Sequence, residues 1–237
     1  MSPRAPEQPI FCALDTVNLE AAAALATDVT ANGGGIKVGS ELFTAHGADG
    51  VLRLTRNGRP PLFLDLKYHD IPNTVAGAIR ASLPLTPFLI SIHTTGGPAM
   101  LRGAAQAAVA AGEERPRIIG ITVLTSLDDT DLTALGILGP AAERSVELAR
   151  LAQACGLDGV VCSPHEITQI RAACGPHFLL VVPGIRPAGS PRDDQKRVMT
   201  PARALALGAD YLVIGRAITD AADPTAALRH ITSEFVA

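Results

Sequence analysis

The sequence predicts a single-domain (β/α)8 TIM barrel of the α/β class: a closed ring of eight parallel strands, each followed by a helix. Three observations lead there. Short apolar runs alternate with longer, alanine-rich stretches of helical pattern, eight of each in 237 residues. The helical stretches open repeatedly on proline and close on glycine, the usual punctuation of helix ends. Charged residues recur where the apolar runs stop, and in this fold chemistry collects at the C-terminal ends of the strands.

In chain order, the first strand is expected over 10–15, ending at Asp15, with a helix over 19–30. The second, 35–38, carries Lys37 between Ile36 and Val38 and leads to a helix over 41–55. The third, 62–67, ends in Asp65 and Lys67, with Asp70 just beyond and a helix over 72–82. The fourth, 88–93, ends in His93 and precedes a helix over 98–111. The fifth, 117–124, runs into Thr125 and Ser126, with a helix over 140–155. The sixth, 159–163, is followed by a helix over 164–173. The seventh, 178–183, leads into Gly184-Ile185-Arg186-Pro187, and its helix is expected over 201–207. The eighth, 211–215, meets Gly215-Arg216, and the last helix covers 224–235. An open, doubly wound sheet is the alternative, but it usually shows a glycine fingerprint after its first strand. Here that position reads Leu14-Asp15-Thr16-Val17-Asn18. No linker-like segment divides the chain, so residues 10–237 read as one catalytic barrel behind a flexible, proline-rich tail over residues 1–9.

Composition narrows the function. The chain is 47% hydrophobic and 18% charged with a net charge of −3, which fits a globular protein with a large core. Its 20 Lys and Arg are scattered, and with two Tyr and no Trp it lacks a stacking platform for nucleic acid. No apolar run approaches a membrane span, and the N-terminus lacks the apolar centre of a signal peptide. The four cysteines, at 12, 155, 162 and 174, form no C-x-x-C pair. They read as reduced, buried thiols of a cytoplasmic protein, and no His/Cys spacing suggests a transition metal.

The most informative run is Asp65-Leu66-Lys67-Tyr68-His69-Asp70-Ile71-Pro72-Asn73-Thr74. In an extended strand Asp65 and Lys67 point the same way, about 7 Å apart, while Leu66 points into packing. Two readings stand for these residues alone. Asp65 and Lys67 can form an ordinary ion pair with Asp70 as a helix N-cap, or the cluster can supply a preorganised field. Asp15, Lys37, Asp65 and Lys67 come from three adjacent strands and alternate in sign, which favours the field. Gly215 and Arg216, on the last strand's loop, suit a phosphate group, whose usual place in this fold is after strands seven and eight. The stretch 187–197, with five charged residues around a Gly189-Ser190-Pro191 turn, reads as a mobile lid. His69 and His93 are candidate acid–base groups without an evident partner.

These motifs resemble those of bacterial orotidine 5′-phosphate decarboxylases over residues 10–235. The resemblance rests on Ala13-Leu14-Asp15, Ile36-Lys37-Val38-Gly39, the run from Phe63 to Thr74, Thr122-Val123-Leu124-Thr125-Ser126, Pro183-Gly184-Ile185-Arg186-Pro187, Asp194-Gln195 and Val213-Ile214-Gly215-Arg216. It implies a homodimeric barrel that converts orotidine 5′-monophosphate to uridine 5′-monophosphate and CO2 without a cofactor, the last step of de novo pyrimidine synthesis. By position, it makes Lys67 the proton donor, flanked by Asp65 and by Asp70 from the partner subunit. Asp15 and Lys37 would bind ribose hydroxyls, and Ile71 and Thr74 would reach across the dimer. Thr125 would contact the pyrimidine, while Arg186, Gln195, Gly215 and Arg216 would hold the phosphate region. Metal-dependent sugar-phosphate decarboxylases and hexulose-phosphate synthases resemble the same D-x-K-x-x-D pattern. They carry an acidic residue where this chain has Lys37, and a lysine there opposes a cation. A non-catalytic barrel that binds a phosphorylated ligand is the other reading; it needs the phosphate loops but not the Asp/Lys row.

Overall fold

The computed structural model describes residues 5–56, 58–187 and 199–235. Eight parallel strands close into a barrel in chain order. They are β1 (Ile10–Ala13), β2 (Gly35–Val38), β3 (Leu62–Tyr68), β4 (Leu89–His93), β5 (Arg117–Ile121), β6 (Gly159–Val161), β7 (Leu179–Val182) and β8 (Tyr211–Ile214). Closure is made by β8 against β1, with Phe11 opposite Val213. Around the ring lie α1 (Leu19–Ala31), α2 (Ser40–Thr55), α3 (Pro72–Ser82), α4 (Gly97–Val109) and α5 (Asp129–Ala134). They are followed by α6 (Ala141–Ala154), α7 (Ile167–Cys174), α8 (Pro201–Ala206), α9 (Arg216–Thr219) and α10 (Pro224–Ser233). None of these helices is long and apolar enough to cross a membrane.

The elements follow from local chemistry. Proline in the first turn of α3, α4, α8 and α10 costs no hydrogen bond, because the first amides of a helix have no partner within it. Asn18 caps α1 and Asp223 caps α10 by accepting from backbone amides three residues on. Several strands are shorter at the mouth than expected, β1 stopping at Ala13 rather than residue 15 and β5 at Ile121 rather than 124, whereas β3 runs one residue further, to Tyr68. The amides of Leu14 and Thr122 still bond to the neighbouring strands, at the Lys37 and Val161 carbonyls, and the chain beyond them builds loops. Helix α5 was not expected; Asp128 and Asp131 form a reciprocal capping box that starts it. A second box, Ser163 with Glu166, sets a 3-10 turn over Pro164–Glu166, so α7 begins only at Ile167. The Gln8 amide bonds to the Gly33 carbonyl and the Pro9 carbonyl accepts from Leu212, holding both against the barrel within the stretch read as a tail.

Strand alternation divides the core in two. Cys12, Ile36, Leu64, Ile90 and Val160 face outward to the helices in one large cluster. Phe11, Phe63, Leu89, Ile119 and Val181 face inward as a second. Phe11 meets Phe63 and Tyr211 edge-on at centroid separations of 5.8 and 5.5 Å. Gly35 makes room for this plug, since a Cβ there would lie 2.6 Å from the Phe11 ring. Burying each such side chain is worth about 1.5–3 kcal/mol. The plug fills the lower barrel and leaves the space above it open.

Away from that opening, two arginines tie strand entrances together. Arg115 makes a two-pronged pair with Asp158 at 2.8 and 2.6 Å, and Asp158 also accepts from the Ile118 amide. Arg171 pairs with Asp210 at 2.6 Å and donates to the carbonyls of Phe178 and Gly208. These two pairs brace the strands at the end of the barrel away from the cavity.

Candidate active site

Above the aromatic plug lies a cavity of about 250 Å3, with charged and apolar walls. Its floor takes Ala13, Phe63, Val161 and Val213 from the barrel interior. Asp15, Lys37, Asp65 and Lys67 rise from the ends of β1, β2 and β3 on one side. Thr125, Arg186, Gly215 and Arg216 line it from the loops after β5, β7 and β8. Eight of the twelve site residues expected from sequence therefore share one cavity.

The four charged residues form a continuous row. Lys37 Nζ lies 3.3 Å from Asp15 Oδ1 and 3.6 Å from Asp65 Oδ2. Lys67 Nζ donates to the same Asp65 oxygen at 2.7 Å. Asp65 is the buried centre of the row, whereas Asp15 is more than half exposed. Burial alone would raise the Asp65 pKa. The ammonium groups of Lys37 and Lys67, with hydrogen bonds from Lys67 and Ser91, outweigh it and hold the carboxyl below its ordinary value. The site thus keeps a buried carboxylate ionised between two cations.

The Asp65–Lys67 contact is not made by a regular strand. Leu64 pairs with Ile90 and Tyr68 with Ile92, so β3 spends four steps where β4 spends two. Within this bulge Lys67 takes φ +51°, a left-handed conformation that costs a side-chain-bearing residue about 1–2 kcal/mol. Regular extension would space the two residues about 7 Å apart along the strand; in the bulge their charged ends meet at 2.7 Å. Leu66 packs outward against the main core, as expected.

Asp70, Ile71 and Thr74 are not in the cavity. They are exposed at the start of α3, and Ile71 is 67% exposed despite its apolar side chain. Asp70 is not the cap of that helix: Ile71 holds the N-cap position, and the Asp70 carboxylate accepts from the Ile71 amide at 2.6 Å. Gln195 and all of the expected lid but Pro187 lie outside the described residues. His69 and His93 have ring centroids 5.3 Å apart. Burial, with the charges of His69 and Lys67, pushes the His93 pKa down, Asp65 acting the other way. All four cysteines are buried and unpaired; burial pushes the Cys12 thiol up to about 12, an inert group.

Sequence reasoning passed over Ser91. It is fully buried on β4 and touches both ends of the charged pair: its hydroxyl lies 2.8 Å from Asp65 Oδ1 and 2.9 Å from the Lys67 amide nitrogen. A lone serine at an inward-facing position of the run Leu89-Ile90-Ser91-Ile92 was the available signal.

A profile of the orotidine 5′-phosphate decarboxylase / HUMPS family matches residues 8–231. The chain belongs to this family. It is 50% identical over 234 residues to the orotidine 5′-phosphate decarboxylase of Rhodospirillum rubrum, covering 97% of this chain and 95% of that protein. It is 47% identical to the enzyme of the same name from Sodalis glossinidius, over 99% of this chain and 93% of the relative. The crystal structure of orotidine 5′-phosphate decarboxylase from Lactobacillus acidophilus superposes with a TM-score of 0.83 at 37% identity, covering 98% of this chain and all of that one. Family membership agrees with the closed barrel and with a site at the C-terminal ends of its strands.

Proposed function

We propose that this protein decarboxylates orotidine 5′-monophosphate to uridine 5′-monophosphate, as a cytoplasmic enzyme of pyrimidine synthesis that needs no cofactor. The observation that carries the reading is the Asp15–Lys37–Asp65–Lys67 row. Breaking the bond between C6 and the carboxylate leaves its electron pair in the plane of the pyrimidine ring. That pair is not conjugated with the ring π system, so the substrate offers no ordinary electron sink. The charge has to be stabilised by a fixed field and then protonated. The Lys67 ammonium does both when it faces C6: it attracts the developing carbanion and delivers one N–H proton to it. Lys67 is left neutral, CO2 departs, and a proton from water restores the ammonium.

Asp65 holds Lys67 by hydrogen bond, and Lys37 holds Asp65 from the other side. Asp15 and Lys37 are assigned to the ribose hydroxyls, Thr125 to the pyrimidine, and Arg186, Gln195, Gly215 and Arg216 to the phosphate region. Phosphate contacts far from C6 supply binding energy that orders the site. Asp70, Ile71 and Thr74 are assigned to the active site of a partner subunit in a homodimer. Their exposure at the start of α3, with an uncovered isoleucine beside an acidic group, supports that assignment. A metal-using variant of the chemistry is disfavoured because the Lys37 ammonium stands 3.6 Å from Asp65, where a divalent cation would be repelled.

The direct test follows the loss of orotidine 5′-monophosphate absorbance with protein exhaustively stripped of metal by chelator. Full turnover is expected. Activity that vanishes with chelator and returns with magnesium would contradict the cofactor-free reading, and no turnover under either condition would leave only a ligand-binding barrel.

A further inference from the structure

We propose that Ser91 is a positioning residue whose hydroxyl locks the bulged end of β3, so that the Lys67 ammonium and the Asp65 carboxylate are held as one unit facing the cavity. The proposal rests on the reading of Lys67 as the proton donor. Between the Leu64–Ile90 and Tyr68–Ile92 pairings, Asp65, Leu66 and Lys67 all stand opposite Ser91 alone. An arch of that kind takes the Lys67 amide out of the strand ladder, and a buried amide needs another acceptor. Ser91 Oγ is that acceptor, at 2.9 Å.

The polarity of the arrangement is fixed by its partners. A backbone amide can only donate and an ionised carboxylate can only accept. The hydroxyl therefore accepts from Lys67 and spends its single proton on Asp65 Oδ1, 2.8 Å away. Asp65's other oxygen takes the Lys67 ammonium at 2.7 Å. One hydroxyl thus joins the backbone of the proton donor to the carboxylate that aims its side chain. The ring runs from the Lys67 amide through Ser91 and Asp65 back to Lys67 Nζ. Ser91 is itself 0% exposed, so it acts through these two residues and does not touch substrate.

The test compares Ser91→Ala, Ser91→Cys and Ser91→Thr with wild type, measuring kcat, KM, affinity for uridine 5′-monophosphate and thermal midpoint. Cysteine preserves volume but gives a weak donor and acceptor, and threonine preserves the hydroxyl. We expect kcat to fall about 10- to 100-fold in the Ala and Cys variants, as befits a misplaced reacting group. Nucleotide affinity should stay within about threefold, because the ribose and phosphate contacts are untouched. Ser91→Thr should retain most of kcat. A purely structural serine would make activity track thermal stability and side-chain volume, with Cys equal to Ser. Either that pattern, or a kcat loss matched by an equal loss of nucleotide affinity, would overturn the proposal. An inactive wild-type protein would instead overturn the assigned decarboxylation itself.

Discussion

Lys37 Nζ lies 3.6 Å from Asp65 Oδ2, so the most buried carboxylate of the cavity is flanked by a cation on each side, with Lys67 at 2.7 Å on the other. Isolated in a buried setting, any one of these charges would be costly. Linked in a row that ends at the exposed Asp15, they sustain one another and create a positive field beside a fixed negative one. That arrangement is more useful for stabilising a transient carbanion than for holding the fold together, because buried ion pairs add little net stability.

Arg216 lines the cavity at the end of β8, opposite the charged row's β3 end, and is assigned to the phosphate. Arg216→Ala should lower kcat/KM for orotidine 5′-monophosphate about 10- to 100-fold, the loss expected for a charge-assisted hydrogen bond. On orotidine, which lacks the phosphate, the same change should have little effect. Equal losses on both substrates would move Arg216 out of the phosphate region.

His93 gives a pH dependence with a definite sign. Its pKa in the fold lies below the ordinary 6.5, through burial and the neighbouring charges of His69 and Lys67. Between the folded value and 6.5 the unfolded chain binds more protons than the folded one, so stability falls as pH drops through that window. It is fully present above about 6.5 and levels off below the folded value. Urea midpoints measured across this range should decline less steeply for His93→Gln than for wild type. Parallel slopes would show that His93 does not carry the effect.

Asp70 should act in the partner's site. Mixing inactive Lys67→Ala and Asp70→Ala proteins and allowing subunit exchange creates dimers with one site that has both residues intact. Random exchange makes about half the dimers mixed, so recovery should approach roughly a quarter of wild-type activity. No recovery, with exchange verified by mass spectrometry, would place Asp70 within its own chain's chemistry or outside it.

Much of this architecture was legible because strand periodicity and proline–glycine punctuation are local signals. Asp15, Lys37, Asp65 and Lys67 could be placed at strand ends from spacing alone, and their convergence followed from the barrel. An ion pair between Asp65 and Lys67 was among the readings their spacing allowed, but the backbone beneath it was not legible. The bulge puts a lysine at positive φ, a conformation that side-chain sterics disfavour and that no nearby glycine announced. Ser91 was hidden for a related reason: a serine in an apolar strand acquires meaning only once the facing strand arches over it. The α5 helix was legible in principle, since Asp128 and Asp131 spell a capping box, but its six residues give too short a periodic pattern to stand out.

The central claim is that Lys67 both stabilises and protonates the C6 carbanion, and Lys67→Ala tests it most directly. Turnover of orotidine 5′-monophosphate by the purified variant should fall to background. Its circular dichroism should match wild type, and it should still bind uridine 5′-monophosphate measurably, because the ribose and phosphate contacts remain. A folded, nucleotide-binding Lys67→Ala protein that still decarboxylates its substrate at a substantial fraction of the wild-type rate would contradict the account.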